Sequence, residues 1–412
     1  MAGADWASRL RKEFSPMASP QSYPDLNGIT VAQIIPRLNF GGAETTTLEI
    51  VRALRTANAR ALVVSEGGAR ADAMAAAGAE LIDMPVASKN PFVMATNIRR
   101  LRKLVEGEDI NIMHARSRAP AWSTLVAARS ARVPMVTTYH GLVHERPRPK
   151  VWYNSVMTRG DAVIANSQYT GELIRRVHGI EDTRLRVVPR GCDVAALAPE
   201  NISTDMRYAQ RSAWGASADD FVILCPARIT WLKGQDVLLS ALSQLPKEAR
   251  PFVVFAGSAE GRADYFAALQ RQVAEMGLTS WVNFAGLVHD MGRAYGACDL
   301  AIVPSVRSEP FGRTIVEAQA AGLPVIASDA GGFRETIISR SPENGGTGWL
   351  VPPSDAAALA LAMEAAMTQN AAARAQMVSN GRAYVEANFR QEIMCAKTLE
   401  IYAELVGRSC DE

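Results

Sequence analysis

Two glutamates, Glu309 and Glu317, stand eight positions apart in the stretch 308–320, which reads SEPFGRTIVEAQA. A proline and a glycine between them indicate a loop, and residues 314–321 have the composition of a helix. A mostly helical stretch would place the two carboxylates roughly 12 Å apart, close to the span from a sugar across a diphosphate to a ribose. Taken alone, such a pair is more often two surface acids on a solvated helix. The other candidate residues decide between these interpretations.

Two cationic residues follow the apolar run 221–226 within a short segment. Arg228 and Lys233 follow this run, and Gly234 then opens a predicted helix. Two cations at a strand end suit a diphosphate, because arginine offers a forked contact and lysine a point charge. They would otherwise be surface charges on an ordinary strand-to-helix loop. The glycine-marked helix start favours the functional interpretation.

Glycine-rich turns follow other predicted strands. The apolar run 29–35 leads into a turn that contains Gly42, and helical composition follows at 44–58. Such a turn lets backbone N–H groups approach a phosphate, although it is neither a G-x-G-x-x-G nor a P-loop and fits an ordinary connection equally well. Farther on, backbone groups near Leu287 and Val288 could contact a nucleobase, and the turn at Gly331-Gly332 could close on phosphate.

His140 follows the predicted strand 135–138 directly. Doubly wound sheets bind ligands at the carboxyl ends of their strands, so His140 is expected at that edge, although a lone histidine is more often structural. The five histidines are dispersed, and the five cysteines show no metal-ligand spacing and are expected to be reduced. We therefore predict no metal site and a chemistry of positioned electrostatics rather than a hydrolytic triad.

The elements that must position these residues alternate along the chain. Strands are predicted at 29–35, 61–65, 81–84, 110–114, 135–138, 162–165, 186–188, 221–226, 251–256, 281–285, 300–303 and 324–327, with helices between them. This alternation predicts two doubly wound parallel sheets. The irregular, polar residues 195–218 are predicted to be a linker. The domain boundaries predicted are a flexible extension at 1–27, a first domain at 28–200 joined by a final helix at 388–412, and a second domain at 201–387.

Composition limits the partners. Hydrophobic residues make up 48% of the 412 residues and charged residues 21%, with a net charge of +2, which indicates a soluble protein and gives no reason to expect nucleic acid. No apolar run reaches the roughly 18 residues that span a bilayer, and no secretory signal is visible, so a cytoplasmic location is predicted. Two basic clusters, at 99–103 and 146–150, are either solvated faces or contacts to an anionic membrane or acceptor.

Together these segments resemble glycosyltransferase family 4, whose members are retaining enzymes of the GT-B fold. The resemblance runs from about residue 29 to 402 and rests on residues 38–44, His140-Gly141, Asn166-Ser167, residues 188–193, Arg228 with Lys233, the two glutamates, Gly331-Gly332 and residues 346–353. It departs from the family at Arg190 and Cys192, where the family often has asparagine and valine. It implies an α/β architecture of two Rossmann-like domains that face each other across a cleft.

The resemblance also implies residue roles. The residues implied to act on the reacting groups are His140 beside the donor sugar, Arg228 and Lys233 at the diphosphate, and Glu309 at the hydroxyls of the transferred sugar. The residues implied to bind the donor are Gly42 at the diphosphate, Leu287 and Val288 at the base, the backbone amides of Phe311 and Gly312, and Glu317 at the ribose.

The activity implied is that of a metal-independent, retaining hexosyltransferase that needs no cofactor beyond its nucleotide-sugar donor, for which GDP-mannose is the candidate. The stretch 113–120, with Arg116 and Arg118, resembles transferases of lipopolysaccharide core, which implies a lipid-linked acceptor at the cytoplasmic face of the inner membrane. These two arginines could instead pair with local acids. The alternatives are a small soluble acceptor, a related phosphorylase or epimerase, and a non-catalytic sugar-binding protein.

Overall fold

The computed structural model describes residues 23–39, 41–141, 143, 145–341 and 345–409. Most of the predicted extension, together with Phe40, His144 and Cys410, lies outside these residues. The described residues divide into two compact units, an N-terminal unit of residues 23–190 with 391–409 and a C-terminal unit of residues 191–390. Leu26, inside the predicted extension, is buried, and its backbone N–H donates to Ala57 O at 2.8 Å.

The N-terminal unit contains a seven-stranded parallel sheet in the order β3-β2-β1-β4-β5-β6-β7. Its strands are β1 (Thr30–Ile34), β2 (Arg60–Ser65), β3 (Glu80–Asp83), β4 (Ile112–Ala115), β5 (Met135–Tyr139), β6 (Ala162–Ala165) and β7 (Leu185–Val187). The helices between them are α1 (Gly42–Thr56), α2 (Ala71–Ala76), α3 (Pro91–Gly107), α4 (Arg118–Ala131), α5 (Arg148–Asn154) and α6 (Gln168–His178).

The C-terminal unit contains a six-stranded parallel sheet in the order β10-β9-β8-β11-β12-β13. Its strands are β8 (Val222–Pro226), β9 (Phe252–Ala256), β10 (Val282–Gly286), β11 (Leu300–Val303), β12 (Val325–Ser328) and β13 (Gly348–Val351). Its helices are α7 (Thr204–Trp214), α8 (Gln235–Gln244), α9 (Ala263–Glu275), α10 (Met291–Gly296), α11 (Arg313–Ala320), α12 (Ala356–Met367) and α13 (Ala371–Asn388).

Both sheets are covered by helices on their two faces, which explains why the central strands read as continuous apolar runs. Every residue of β1, β5, β8 and β11 is buried. Separate apolar clusters pack on the two faces of each sheet. The prediction of two doubly wound parallel sheets is confirmed.

The last helix, α14 (Gln391–Ser409), packs on the N-terminal unit. Leu399 and Tyr402 are fully buried, in the apolar cluster that also contains residues of β1 and α1. The Tyr402 hydroxyl lies 2.5 Å from His114 Nδ1, and the other ring nitrogen of His114 lies 2.7 Å from Thr138 Oγ1. The first sheet therefore obtains part of its core and a polar partner from the end of the chain.

The prediction that residues 195–218 form an irregular linker is wrong. Helix α7 lies within this stretch and begins at a cap in which Ser203 Oγ accepts from Met206 N at 3.2 Å. Arg211 is buried, and its guanidinium donates to Ala297 O at 2.8 Å and to Asp299 Oδ2 at 2.6 Å. The polar residues that suggested a linker are hydrogen-bonded into the unit.

In the part of the chain that the structure describes, no helix is both long enough and apolar enough to cross a membrane.

The docking of α14 predicts a strong dependence of stability on Leu399. Leu399→Ala is expected to lower the free energy of unfolding by about 2–5 kcal/mol, because it removes buried methyl groups and leaves a cavity. The matched control is Leu361→Ala on α12, where the leucine is 68% exposed and the change is expected to stay within about 0.5 kcal/mol. Denaturant unfolding measures both, and equal losses would contradict this docking.

Candidate functional site

The candidate residues of the C-terminal unit follow the carboxyl ends of its strands. Arg228 follows β8, Leu287 follows β10, Glu309 follows β11 and Gly331 follows β12. Because these strands are parallel, their carboxyl ends lie along one edge of the sheet, which is where doubly wound sheets bind ligands.

The turn that carries Lys233 lies directly against the segment after β11. Gly234 has a φ of +69°, and a Cβ at this position would lie 2.0 Å from Pro304 O. The Val306 N–H donates to Leu232 O at 3.0 Å. Only glycine permits this backbone approach, so Gly234 sets the distance between Lys233 and the residues that follow Pro304.

Lys233 and Glu309 form an ion pair. Lys233 Nζ lies 2.7 Å from Glu309 Oε1, and both side chains are about one-quarter exposed. The Ser305 hydroxyl donates to the same carboxylate oxygen at 3.2 Å. Two residues predicted from different motifs are thus in contact, and a ligand that reaches one of them reaches the other.

Arg228 begins the same turn and is exposed. The Gln235 side-chain amide donates to Arg228 O at 2.9 Å, which ties the turn to the start of α8. Neighbouring Gly257 packs so closely that a Cβ would lie 2.0 Å from Ala227 O. Arg228 thus stands on a fixed backbone with an accessible side chain.

The backbone of Glu309 is fixed by the turn after β12. Gly332 N donates to Glu309 O at 2.8 Å, and Gly331 pairs with Glu309 in a parallel bridge. Gly331 has a φ of +60°, and a Cβ there would lie 2.5 Å from Glu309 O. From its glycine-rich sequence, this turn was expected to be able to close on phosphate with its amides. For Gly332 that expectation is wrong, because its amide holds the chain at Glu309.

Helix α11 begins immediately after Gly312, as the sequence indicated. The N–H groups of Ile315 and Val316 both donate to Gly312 O at 3.0 Å. A Cβ at Gly312 would lie 2.6 Å from Thr336 Oγ1, so crowding explains the glycine. The Phe311 ring is buried in edge-on contact with Phe389 at 5.6 Å between ring centroids. The ring anchors a helix start whose first N–H groups carry partial positive charge.

Glu317 lies within α11, and both of its carboxylate oxygens have partners. Arg313 Nε donates to Oε1 at 2.8 Å, and the Tyr295 hydroxyl donates to Oε2 at 3.2 Å. Burial, reinforced by the nearby Glu317 carboxylate, raises the pKa of Tyr295 well above its usual value, so its hydroxyl remains a donor. The Glu317 carboxylate is therefore oriented by the protein itself.

Sequence reasoning missed Ser305, Arg313 and Tyr295. The spacing of four between Arg313 and Glu317 on one helix was a usable signal. Ser305 could also have been found, because it follows the predicted strand 300–303, as Glu309 does. Nothing in the sequence near Tyr295 connects it with Glu317, which lies two elements farther along.

Leu287 and Val288 follow the edge strand β10. The pairing of β10 with β9 shifts register between Phe284 and Gly286, and Gly286 has a φ of +68°. Leu287 is 48% exposed, whereas Val288 packs partly on the core. Their position at the carboxyl edge is compatible with the predicted contact to a nucleobase.

In the N-terminal unit, a single side chain connects His140 and Gly42. The Arg190 guanidinium donates to Gly42 O at 2.5 Å and also bonds His140 Nδ1 and Thr46 Oγ1. Burial and the charges of Arg190 and Arg116 hold the pKa of His140 well below its usual value, so its ring is neutral near pH 7.

The two arginines of the stretch 113–120 have different surroundings. Arg116 is buried, and its Nε donates to Gln33 Oε1 at 2.9 Å. Its guanidinium is buried and hydrogen-bonded within the N-terminal unit. The expected contact with an anionic acceptor is therefore not supported for Arg116. The Arg118 guanidinium lies 5.7 Å from the centre of the Tyr139 ring.

Among the described residues, no group of three or more His, Cys, Asp or Glu side chains is arranged to hold a metal. Cys192, Cys225, Cys298 and Cys395 are buried and form no disulfide bond with one another. Burial raises the pKa of Cys225 to about 12, so this thiol is protonated at neutral pH.

Known proteins similar to this chain cover nearly all of it. A family model for Glycosyltransferase Family 4 matches residues 40–196, and a model for Glycosyl transferases group 1 matches residues 206–384. A D-inositol 3-phosphate glycosyltransferase of Xylanimonas cellulosilytica is 30% identical over 302 residues, which is 69% of each protein.

Solved structures extend this likeness to the fold. A glycosyltransferase from Rickettsia africae superposes with a TM-score of 0.84 at 30% identity and covers 92% of this chain and 99% of its own. Anabaena HepE, solved in complex with UDP-glucose, superposes with a TM-score of 0.79 at 24% identity and covers 91% of this chain and 99% of its own.

Two Rossmann-like units with parallel sheets, together with these matches, define a glycosyltransferase of the GT-B fold. The chain belongs to glycosyltransferase family 4.

The close packing at Gly331 predicts a stability difference between two glycines of the C-terminal unit. Gly331→Ala and Gly261→Ala both place alanine at positive φ, +60° and +69°, but a Cβ at Gly261 meets nothing within 4 Å. Both variants are expected to lose about 1–2 kcal/mol from the backbone conformation. Gly331→Ala is expected to lose about 1–3 kcal/mol more, because the Glu309 backbone must move. Denaturant unfolding of both proteins gives the difference, and equal losses would show that Gly331 does not fix Glu309.

Proposed function

We propose that this glycosyltransferase is a retaining enzyme that moves a hexose from a nucleoside-diphosphate sugar to an acceptor hydroxyl. The observation that carries the proposal is the contact of Lys233 with Glu309, immediately before the start of α11. Lys233 and the first amides of α11 offer positive charge for a diphosphate, and Glu309 offers a carboxylate for sugar hydroxyls.

The donor is proposed to bind along the carboxyl edge of the second sheet. Lys233 and the exposed Arg228 would neutralise the diphosphate, together with the first N–H groups of α11. Glu309 would accept hydrogen bonds from hydroxyls of the hexose, and Glu317 from the ribose. The UDP-glucose bound by HepE supports a nucleoside-diphosphate hexose as the class of donor. GDP-mannose stays a candidate within that class.

The proposed chemistry is a displacement on one face of the sugar. The bond from the anomeric carbon to the diphosphate oxygen breaks, and the bond to the acceptor oxygen forms on the same face, which retains the configuration. The acceptor proton passes to the departing diphosphate. Since negative charge grows on that diphosphate, fixed cations and amides lower the barrier without a protein nucleophile.

For the acceptor, the name of the Xylanimonas relative supports a small, soluble phosphorylated polyol. This was one alternative of the sequence analysis, and we favour it over the lipid-linked acceptor. The acceptor is proposed to bind to the N-terminal unit. There, Gly42 and His140 follow the carboxyl ends of β1 and β5.

A lipid-linked acceptor, such as lipopolysaccharide core, is the second candidate because helices of the N-terminal unit carry exposed aromatic and basic side chains. Trp152 is 62% exposed and stacks on Trp122 at 5.1 Å, and Phe92 at the start of α3 is 84% exposed. Arg148 and Lys150, on the same short helix as Trp152, are exposed as well. Exposed aromatic rings with cations suit the interface of an anionic membrane, and this supports peripheral contact at its cytoplasmic face.

The proposed roles predict that Glu309→Gln loses transfer by about 10²–10³-fold, because the variant removes the charge that holds the hexose and Lys233. Glu364→Gln, an exposed carboxylate on α12, is the matched control and is expected to retain wild-type activity. The measurement is release of nucleoside diphosphate from UDP- and GDP-hexoses, with inositol phosphates or extracted lipids as acceptors.

Transfer only to lipid would favour the second candidate for the acceptor. Unchanged release by Glu309→Gln would contradict the site, and no release by wild type with any donor would contradict the function. Unfolding with and without nucleoside diphosphate tests donor binding alone, with a gain of about 2.7 kcal/mol expected at a hundredfold excess over Kd. Donor binding without transfer would favour a non-catalytic sugar-binding protein.

Retention and metal independence make a separate prediction. EDTA is expected to leave the transfer rate unchanged, because protein cations and amides balance the charge of the leaving diphosphate. The coupling constant of the anomeric proton in the product is expected to report the same configuration as in the donor. Activity that is lost with EDTA and restored by Mg²⁺ or Mn²⁺ would overturn the metal-independent mechanism, and an inverted product would overturn the same-face displacement.

A further inference from the structure

Arg190 follows β7 and is a position where the sequence departs from the family pattern. Its side chain is 6% exposed. The guanidinium bonds three groups from two other segments, namely Gly42 O and Thr46 Oγ1 at the start of α1 and His140 Nδ1 after β5. One buried cation therefore connects the two N-terminal residues that the sequence analysis assigned to the site.

The contact with His140 fixes the proton on the imidazole ring. A guanidinium can only donate hydrogen bonds and stays protonated, so His140 Nδ1 must accept. The ring proton then resides on Nε2, and a second proton would place a cation against Arg190.

The other titratable groups that face His140 act in the same direction or are neutral. Arg116 is a second buried cation nearby. His114 has one ring nitrogen against Tyr402 Oη and the other against Thr138 Oγ1, and burial holds its pKa well below the usual value. Together with burial of the ring, these surroundings favour neutral His140 across the physiological pH range.

The environment of the second ring nitrogen of His140 points to a ligand. His140 Nε2 is buried from solvent and finds no hydrogen-bond partner among the residues that the structure describes. An N–H donor without a partner in a buried position is unfavourable unless an oxygen of a ligand or of water lies in front of it, and the position of His140 after the carboxyl end of β5 favours a ligand.

We propose that Arg190 is a positioning residue, which holds His140 as the neutral Nε2–H tautomer and so makes it a hydrogen-bond donor to an oxygen of the bound substrate. Through Gly42 O, the same guanidinium fixes the start of α1. The inference rests on the proposed function, because the ligand oxygen belongs to the donor or the acceptor.

The tautomer is measured by long-range ¹H–¹⁵N NMR of ¹⁵N-histidine-labelled protein between pH 5.5 and 8.0, with His140→Gln used to assign the signal. In wild type, Nδ1 is expected to show the shift of an unprotonated acceptor and Nε2 that of a protonated nitrogen, with no titration. In Arg190→Met, the signal is expected to become a mixture of tautomers or to titrate, because the fixed donor is gone.

Transfer kinetics give the second readout. For Arg190→Met, kcat/KM is expected to fall about 10-fold to 100-fold and to gain a dependence on pH between 5.5 and 8.0. Arg190→Lys retains a cation and is expected to recover part of the rate and a flat profile. The matched control is Arg186→Met, because Arg186 lies in the same unit and bonds Thr183 O and Glu404 at its surface. This control is expected to keep wild-type kinetics and the wild-type His140 signal.

A wild-type His140 that titrates near its ordinary pKa, or an Arg190→Met protein with the wild-type signal, would overturn the inference. So would a loss of activity in Arg190→Met that keeps the wild-type pH profile. The wild-type spectrum alone decides the tautomer even if Arg190→Met does not fold. If wild type shows the predicted tautomer but transfers no sugar from any donor, the proposed function fails while the contact of Arg190 with His140 stands.

Discussion

The candidate site of the C-terminal unit depends on turns whose backbone segments lie closer together than a side chain at either glycine would permit. At Gly234 and Gly331, a Cβ would lie within 2.5 Å of a backbone oxygen on the neighbouring segment. Gly234 presses the turn with Lys233 against the segment after β11, and Gly331 presses the turn after β12 against Glu309. The ion pair between Lys233 and Glu309 follows from these two approaches, and the first residue of α11 lies four positions beyond Glu309.

The carboxylates at the two ends of this stretch have different surroundings. Glu309 is held by a lysine and a serine hydroxyl on one oxygen, whereas Glu317 has a partner on each oxygen. The buried Tyr295 hydroxyl and Arg313, which lies on the same helix as Glu317, therefore orient the Glu317 carboxylate before any ligand binds. This difference suits the proposed division of labour, in which Glu309 binds the hexose that is transferred and Glu317 binds the ribose, which stays on the nucleotide.

The alternation of apolar runs was enough to predict both parallel sheets, because strands buried on two faces leave a plain signal in the sequence. Helix α7 was missed because its arginines are polar in sequence but bond Asp299 and backbone carbonyls in the fold. The glycine and strand-end motifs named the residues of the candidate site. They could not show that Lys233 pairs with Glu309, or that Arg190 bonds His140, because these contacts join residues 76 and 50 positions apart. Such pairings depend on the turns between elements, and local composition does not encode them.

The position of α14 along the chain has a consequence for synthesis. Leu399 and Tyr402 complete the apolar core on one face of the first sheet, and Tyr402 is the phenol beside His114, yet both are translated after the entire C-terminal unit. While the ribosome makes residues 191–390, the nascent first sheet has a face without its last helix, and His114 lacks one of its two hydrogen-bond partners. The contiguous second unit can complete its fold first, and the N-terminal unit reaches its final packing only when the last helix leaves the exit tunnel.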